Sequence, residues 1–140
     1  MSAFFAEQIE IENKKIGLGQ PVFIVAEIGI NHNGDINLAK KLIDAAHRAG
    51  VDSVKFQNYI TEDFLSSDTT LEWEYQNQGI TVRESQYDMF KRCELSEADV
   101  KELKKYCDKL GIIFHSTPTS KSGVDILKRV GSAVLKNGSD

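Results

Sequence analysis

The sequence predicts a parallel α/β fold: a (β/α) barrel of TIM type, seen as its first half, about four β/α units behind an N-terminal β-hairpin. Three observations predict it. Amphipathic helical stretches alternate with short apolar stretches, which is the rhythm of a parallel sheet with right-handed crossovers. A glycine stands at each helix-to-strand junction, at Gly50, Gly111 and Gly131. Polar residues gather where each apolar stretch ends, the rim on which parallel α/β proteins build their sites. A small doubly wound sheet fits the same rhythm. The hairpin, placed to plug the bottom of a barrel that takes about 250 residues when whole, favours the barrel.

Residues 8–18 form the hairpin, with Ile9, Ile11 and Ile16 as its apolar positions and Asn13 to Lys15 as its turn. Strand one covers about 21–29, and its run Phe23 to Ile28 reads as buried on both faces, broken only by Glu27. A charge in such a strand needs a partner or a task. Helix one spans about 35–49, with Ile36, Ala39, Leu42, Ile43, Ala46 and Ala49 on one face. Strand two, about 51–57, turns Val54 and Phe56 one way and Ser53, Lys55 and Gln57 the other.

Residues 58–95 are a long insertion rich in aromatics, with a short helix expected near 84–92. Its rings suit loop packing and a substrate lid equally well. Helix two starts at Ser96 with a capping-box Asp99, buries Val100, Leu103, Cys107 and Leu110, and stops at Gly111. Strand three is 112–117, closed by Pro118. Helix three spans about 120–130 with Val124, Leu127 and Val130 inward, and strand four about 132–138.

Composition narrows the function. The 140 residues carry a net charge of -4, against a broad nucleic-acid surface. No apolar run approaches the roughly 20 residues of a membrane span, and the start lacks the pattern of a secretory signal. Cys93 and Cys107 have no metal-type spacing and read as buried, reduced thiols in a cytoplasmic protein.

The strand ends carry the chemistry. Strand one contributes Glu27, Asn31 and His32; strand two Lys55 and Gln57; strand three His115, Ser116 and Thr117; strand four Lys136, Asn137 and Ser139. On one rim, two ammonium groups with hydroxyl and amide donors suit a small, multiply anionic ligand such as a phosphorylated carboxylate. Each residue also has a plain reading. Lys55 can snorkel and merely pair with Glu27, a turn explains Thr117 before Pro118, and the histidines suit structural or supporting places better than metal ligation.

The segments AEIGINHNG, VKFQ, the Ser-Thr-Pro after strand three and LKNGS, in that order, resemble the N-terminal half of the sialic acid synthase family, N-acetylneuraminate synthase and its nonulosonate-making relatives. The resemblance covers nearly all of residues 15–140. It implies a barrel followed by a small antifreeze-like domain in a domain-swapped homodimer, of which the second half and that domain lie outside this chain. It implies a transferase of carbohydrate and polysaccharide biosynthesis that condenses phosphoenolpyruvate with an N-acetylated sugar aldehyde, N-acetylmannosamine or a modified relative, releasing phosphate. Lys55, Thr117, Lys136 and Ser139 would hold phosphoenolpyruvate. Glu27 and Gln57 would face the sugar, with Glu27 the candidate for proton handling. A divalent ion, Mn2+ or Mg2+, would take its ligands from the missing half and none from this chain. His115 stands where the family usually has an apolar residue, and Thr81 lies near the place of its sugar-contacting asparagine. Two other readings stay open: a non-catalytic half-barrel module that holds a small anion, and another phosphoenolpyruvate aldolase making a seven- or eight-carbon sugar acid.

Overall fold

The structure, a computed structural model, describes residues 7–68, 70–77 and 79–138. It is an α/β fold around one parallel sheet. The sheet has three strands, β3 (Val25–Gly29), β4 (Ser53–Asn58) and β7 (Ile113–Pro118), lying side by side in chain order. Both pairings are parallel. The next segment bridges β7 at Leu135, on the far side from β3, whereas a doubly wound sheet of order 3-2-1-4 sets its fourth strand beside its first.

The helices α1 (Ile36–Arg48), α3 (Glu97–Leu110) and α4 (Lys121–Arg129) pack on the sheet. Their apolar stripes meet Val54, Phe56 and Phe114 in one core, with the two phenyl rings stacked at 5.5 Å. The boundaries follow local chemistry. Asp35 caps α1 through the amides of Asn37 and Leu38. Ser96 and Asp99 form the expected capping box on α3, and Gly111 closes it in a left-handed conformation. Tyr106 donates to Asp44 at 2.8 Å, and Lys40 pairs with Glu102 at 2.5 Å, tying α3 to α1.

Four details differ from the sequence expectation. The hairpin β1 (Gln8–Ile11) and β2 (Lys14–Gly17) turns at Glu12 and Asn13, because pairing Ile9 with Ile16 leaves only two residues for the turn. Strand one is not buried on both faces: Ile24 and Val25 are 51% and 41% exposed, because β3 is an edge strand in the described sheet. Helix α4 turns Leu127 and Val130 to the core as expected, but buries Gly123 and Ile126 rather than Val124. Gly123 sits so close to β4 that a Cβ there would lie 3.0 Å from the Asn58 carbonyl. The expected fourth strand is a single parallel bridge, Leu135 to Ser116, with the Lys136 amide donating to the Ser116 carbonyl at 3.1 Å. Just before that bridge the Ser132 hydroxyl lies against two carbonyls, of Val134 at 2.8 Å and of Phe114 in β7 at 3.5 Å.

The hairpin lies at the amino ends of the strands, where Lys14 pairs at 2.8 Å with Asp52, the residue before β4. Lys14 and the Ile24 amide hold the Asp52 carboxyl below its ordinary range. No described helix is long and apolar enough to cross a membrane. Cys93 and Cys107 are free and buried, and burial pushes the Cys107 thiol up to about 12.

The insertion contains a short 3-10 turn (Thr61–Asp63), the antiparallel hairpin β5 (Glu72–Asn77) and β6 (Ile80–Ser85), and the helix α2 (Gln86–Cys93). Its two ends are clasped: the amide and hydroxyl of Thr61 donate to the Glu94 carboxylate at 2.9 and 2.7 Å. A second tie is steric. Gly34, at φ +77°, approaches the carbonyl of Arg92 so closely that a Cβ would lie 2.2 Å from it. Gly34→Ala should therefore cost about 2–4 kcal/mol, combining left-handed strain with a backbone clash. Thermal unfolding checks this, and an unchanged melting temperature would contradict the close approach.

Candidate functional site

Strand alternation divides the sheet between two tasks. Val54, Phe56 and Phe114 face the helices. Glu27, Lys55 and His115 are register partners on the other face, in one row across β3, β4 and β7. Gln57 and Thr117 form the next row toward the carboxyl ends. The register slips between Glu27 and Gly29, so that Ile28 turns into the helix-side core while Glu27 keeps its place in the row.

Lys55 is the centre of this row. Its side chain is 14% exposed, and its Nζ pairs with Glu27 Oε2 and donates to Thr117 Oγ1 at 3.4 Å. Both partners are needed, since an ammonium this far from water requires compensating acceptors. Glu27 is 51% exposed, so it is not the buried carboxylate that the apolar run suggested. The edge position of β3 leaves it open.

His115 is 5% exposed, and its Nδ1 has no hydrogen-bond partner among the described residues. Burial first, then the neighbouring Lys55 charge, lowers its pKa below 6.5, while Glu27 acts in the opposite direction. The imidazole is therefore neutral at pH 7. His32 has a different task. It is fully buried, its Nδ1 accepts the Gly34 amide at 3.0 Å, and its ring lies 5.9 Å from Phe56. Asn31 donates to the Ile28 carbonyl at 2.9 Å. Both shape the turn after β3. No group of three or more His, Cys, Asp or Glu side chains is placed to hold a metal ion among the described residues.

Beyond this row the site opens into a cleft of about 330 Å³ lined by Gln57, Tyr59, Phe64, Phe90, Thr117 and Thr119. A smaller hollow of about 180 Å³ adjoins it, shares Thr117 and Thr119, and reaches Asn137 and Gly138. Thr117 thus stands between the two. The Leu135 bridge to Ser116 sets the half-buried Lys136 beside Thr117 in register. The structure therefore brings Glu27, Lys55 and Thr117 into contact, with Gln57 on the same cleft and Lys136 alongside. Ser139 lies outside the described residues.

Sequence reasoning missed Thr119 and left the role of the insertion's rings open. Thr119 was available from alternation, two residues beyond Thr117. The pairing of Phe90 with Tyr59 and Phe64 carries no local signal, because it joins residues 26 or more apart.

The comparisons bear on this geometry. Residues 42–140 match the model of the NeuB family. The chain is 42% identical over 123 residues to the N,N'-diacetyllegionaminic acid synthase of Legionella pneumophila, covering 88% of this chain and 34% of that protein. It is 35% identical over 127 residues to the N-acetylneuraminate-9-phosphate synthase of Mus musculus, covering 89% and 34%. The solved N-acetylneuraminic acid synthetase of Leptospira borgpetersenii, in complex with citrate, superposes with a TM-score of 0.76 at 32% identity, over 93% of this chain and 40% of that one. The chain spans about a third of the length of the curated relatives it matches.

A pH titration of the ring resonances tests the row. His115 should stay neutral below pH 6.5, and Lys55→Met should raise its midpoint, since a depressing charge disappears and Glu27 is left unpaired nearby. Protonating a buried neutral imidazole favours the unfolded chain, so stability should fall as pH drops below 6.5, and His115→Phe should flatten that fall. A midpoint unmoved by Lys55→Met would contradict the shared row.

Proposed function

The chain belongs to the NeuB family, and we propose that the protein carrying it condenses phosphoenolpyruvate with an N-acetylated amino-sugar aldehyde, giving a sialic-acid-like nonulosonate and inorganic phosphate. In this reading the chain is the first half of a barrel and supplies the phosphoenolpyruvate side of the site. The observation that carries the reading is the lysine Lys55, suspended between Glu27 and Thr117 on the open face of a parallel sheet.

The residues divide the work. The Lys55 ammonium and Thr117 hydroxyl form a donor pair to which an anionic group can bind as Glu27 yields the lysine. Lys136, next in register to Thr117, and Ser139 complete the grip on a ligand that carries both carboxylate and phosphate. Gln57 extends toward the acceptor from the same strand. Glu27, released from Lys55 and open to solvent, is placed to handle a proton as water adds to the condensed intermediate and phosphate leaves. The described residues do not fit a divalent ion, so its ligands would come from elsewhere in the protein. The open edge of β3 further supports a proposal that the sheet continues in the remaining sequence and that the protein works as a homodimer.

The test is phosphate release by the complete protein given phosphoenolpyruvate, N-acetylmannosamine and Mn2+. Release is expected, and Lys55→Met should lower kcat/KM about 100-fold, the loss of roughly one charge-assisted contact with both substrate and row. Failure to release phosphate with any N-acetylated amino sugar would overturn the reading. Loss confined to stability in Lys55→Met, with turnover unchanged, would remove Lys55 from it.

A further inference from the structure

The inference rests on the anion site just proposed at Lys55 and Thr117. We propose that His115 is a positioning residue of that site: its imidazole is neutral while Lys55 pairs with Glu27, and it takes up a proton from solvent when phosphoenolpyruvate draws Lys55 away, so that binding of the anion is coupled to protonation of the row.

The first argument is placement. Glu27, Lys55 and His115 share one row across three strands, and Thr117 stands two residues beyond His115 on the same face of β7. Two residues of strand span about 7 Å. An anion held by Lys55 and Thr117 therefore lies inside the Debye length of about 8 Å from the imidazole, and buried groups are screened less than that length implies.

The second argument is the state of the ring. His115 is buried, and its Nδ1 is closed off from solvent with no hydrogen-bond partner among the described residues. The Nδ1 of His32, by contrast, accepts the Gly34 amide and is tied into a turn. Burial and the Lys55 charge hold the His115 ring neutral, and Glu27 works in the opposite direction. A bound anion adds to the effect of Glu27 and offsets that of Lys55.

The third argument is charge balance. Without a ligand the row holds one carboxylate, one ammonium and one neutral imidazole, which sum to zero. A ligand with a carboxylate and a phosphate brings roughly three negative charges. Lys55 offsets one, and Lys136, in register with Thr117 through the Leu135 bridge, offsets another. Both are ammonium groups with no further proton to gain. Glu27 is 51% exposed and remains solvated when the lysine leaves it. The titratable groups that face His115 among the described residues are thus Glu27 from β3, Lys55 from β4 and Lys136 from the segment bridged to β7. Its other neighbours on this face, Ile113 and Val134, do not titrate. The imidazole is the group of the row that can turn from neutral to positive.

Calorimetric titration of the complete protein with phosphoenolpyruvate alone, in two buffers of different ionisation enthalpy, reads the protons taken up. At pH 6.5 the wild type should take up about half a proton per site more than His115→Phe, a difference from which the ligand's own titration cancels. Between pH 5.5 and pH 7.5 the affinity of the wild type relative to that variant should fall about threefold. His115→Asn, polar but without a titrating ring, should match the phenylalanine variant, which separates lost charge from altered packing. The wild type gives a reading by itself: the titration midpoint of the His115 ring resonances should rise when phosphoenolpyruvate is bound. A midpoint unmoved by the bound ligand, or equal uptake by the wild type and both variants, would overturn the inference while leaving the proposed reaction intact. No binding of phosphoenolpyruvate by the wild type at millimolar concentration would remove the anion site itself, and the inference with it.

Discussion

A lysine on a core strand constrains everything around it. Lys55 lies between Val54 and Phe56, both at the limit of burial, so its neighbours must accept what its ammonium offers. The register provides those neighbours. Glu27 and His115 flank it across the sheet, and Thr117 accepts from above. A neutral His115 is part of this arrangement, because a second cation in the row would compete with Lys55 for the one carboxylate. The slip at Ile28 serves the same end, keeping Glu27 in line while the backbone continues into the turn after β3.

What was legible in the sequence was what local chemistry decides. The caps at Ser96 and Gly111, the stripes of α1 and α3, and the alternation that separates Lys55 from Phe56 all rest on residues within a few positions of each other. The β5–β6 hairpin was within reach by the same means: Trp73 and Tyr75 alternate with polar residues, and Gly79 supplies a turn. What was not legible depends on distant neighbours. Glu27 looks buried from its own strand and is exposed because β3 has a free edge in the described sheet. The burial of Gly123 in α4 goes with its approach to Asn58. The reduction of the fourth strand to one bridge depends on how residues 132–138 meet β7, which their own apolar pattern does not report.

The site has two walls of different origin. One comes from the sheet, where strand geometry sets the side chains and the groups are charged or hydroxylic. The other comes from the insertion, where three rings brace each other and the surface is apolar. They meet at Gln57 and Thr117, which belong to the sheet but line the cleft. The family match takes in the insertion and strands β4 and β7, running from within α1 to the last residue, and begins after Glu27.

The clasp of Thr61 on Glu94 separates these walls mechanically. It joins two residues 33 positions apart, so the intervening chain leaves and rejoins the scaffold at nearly one point. A chimaera joined at these two residues would exchange the insertion and keep the parallel sheet.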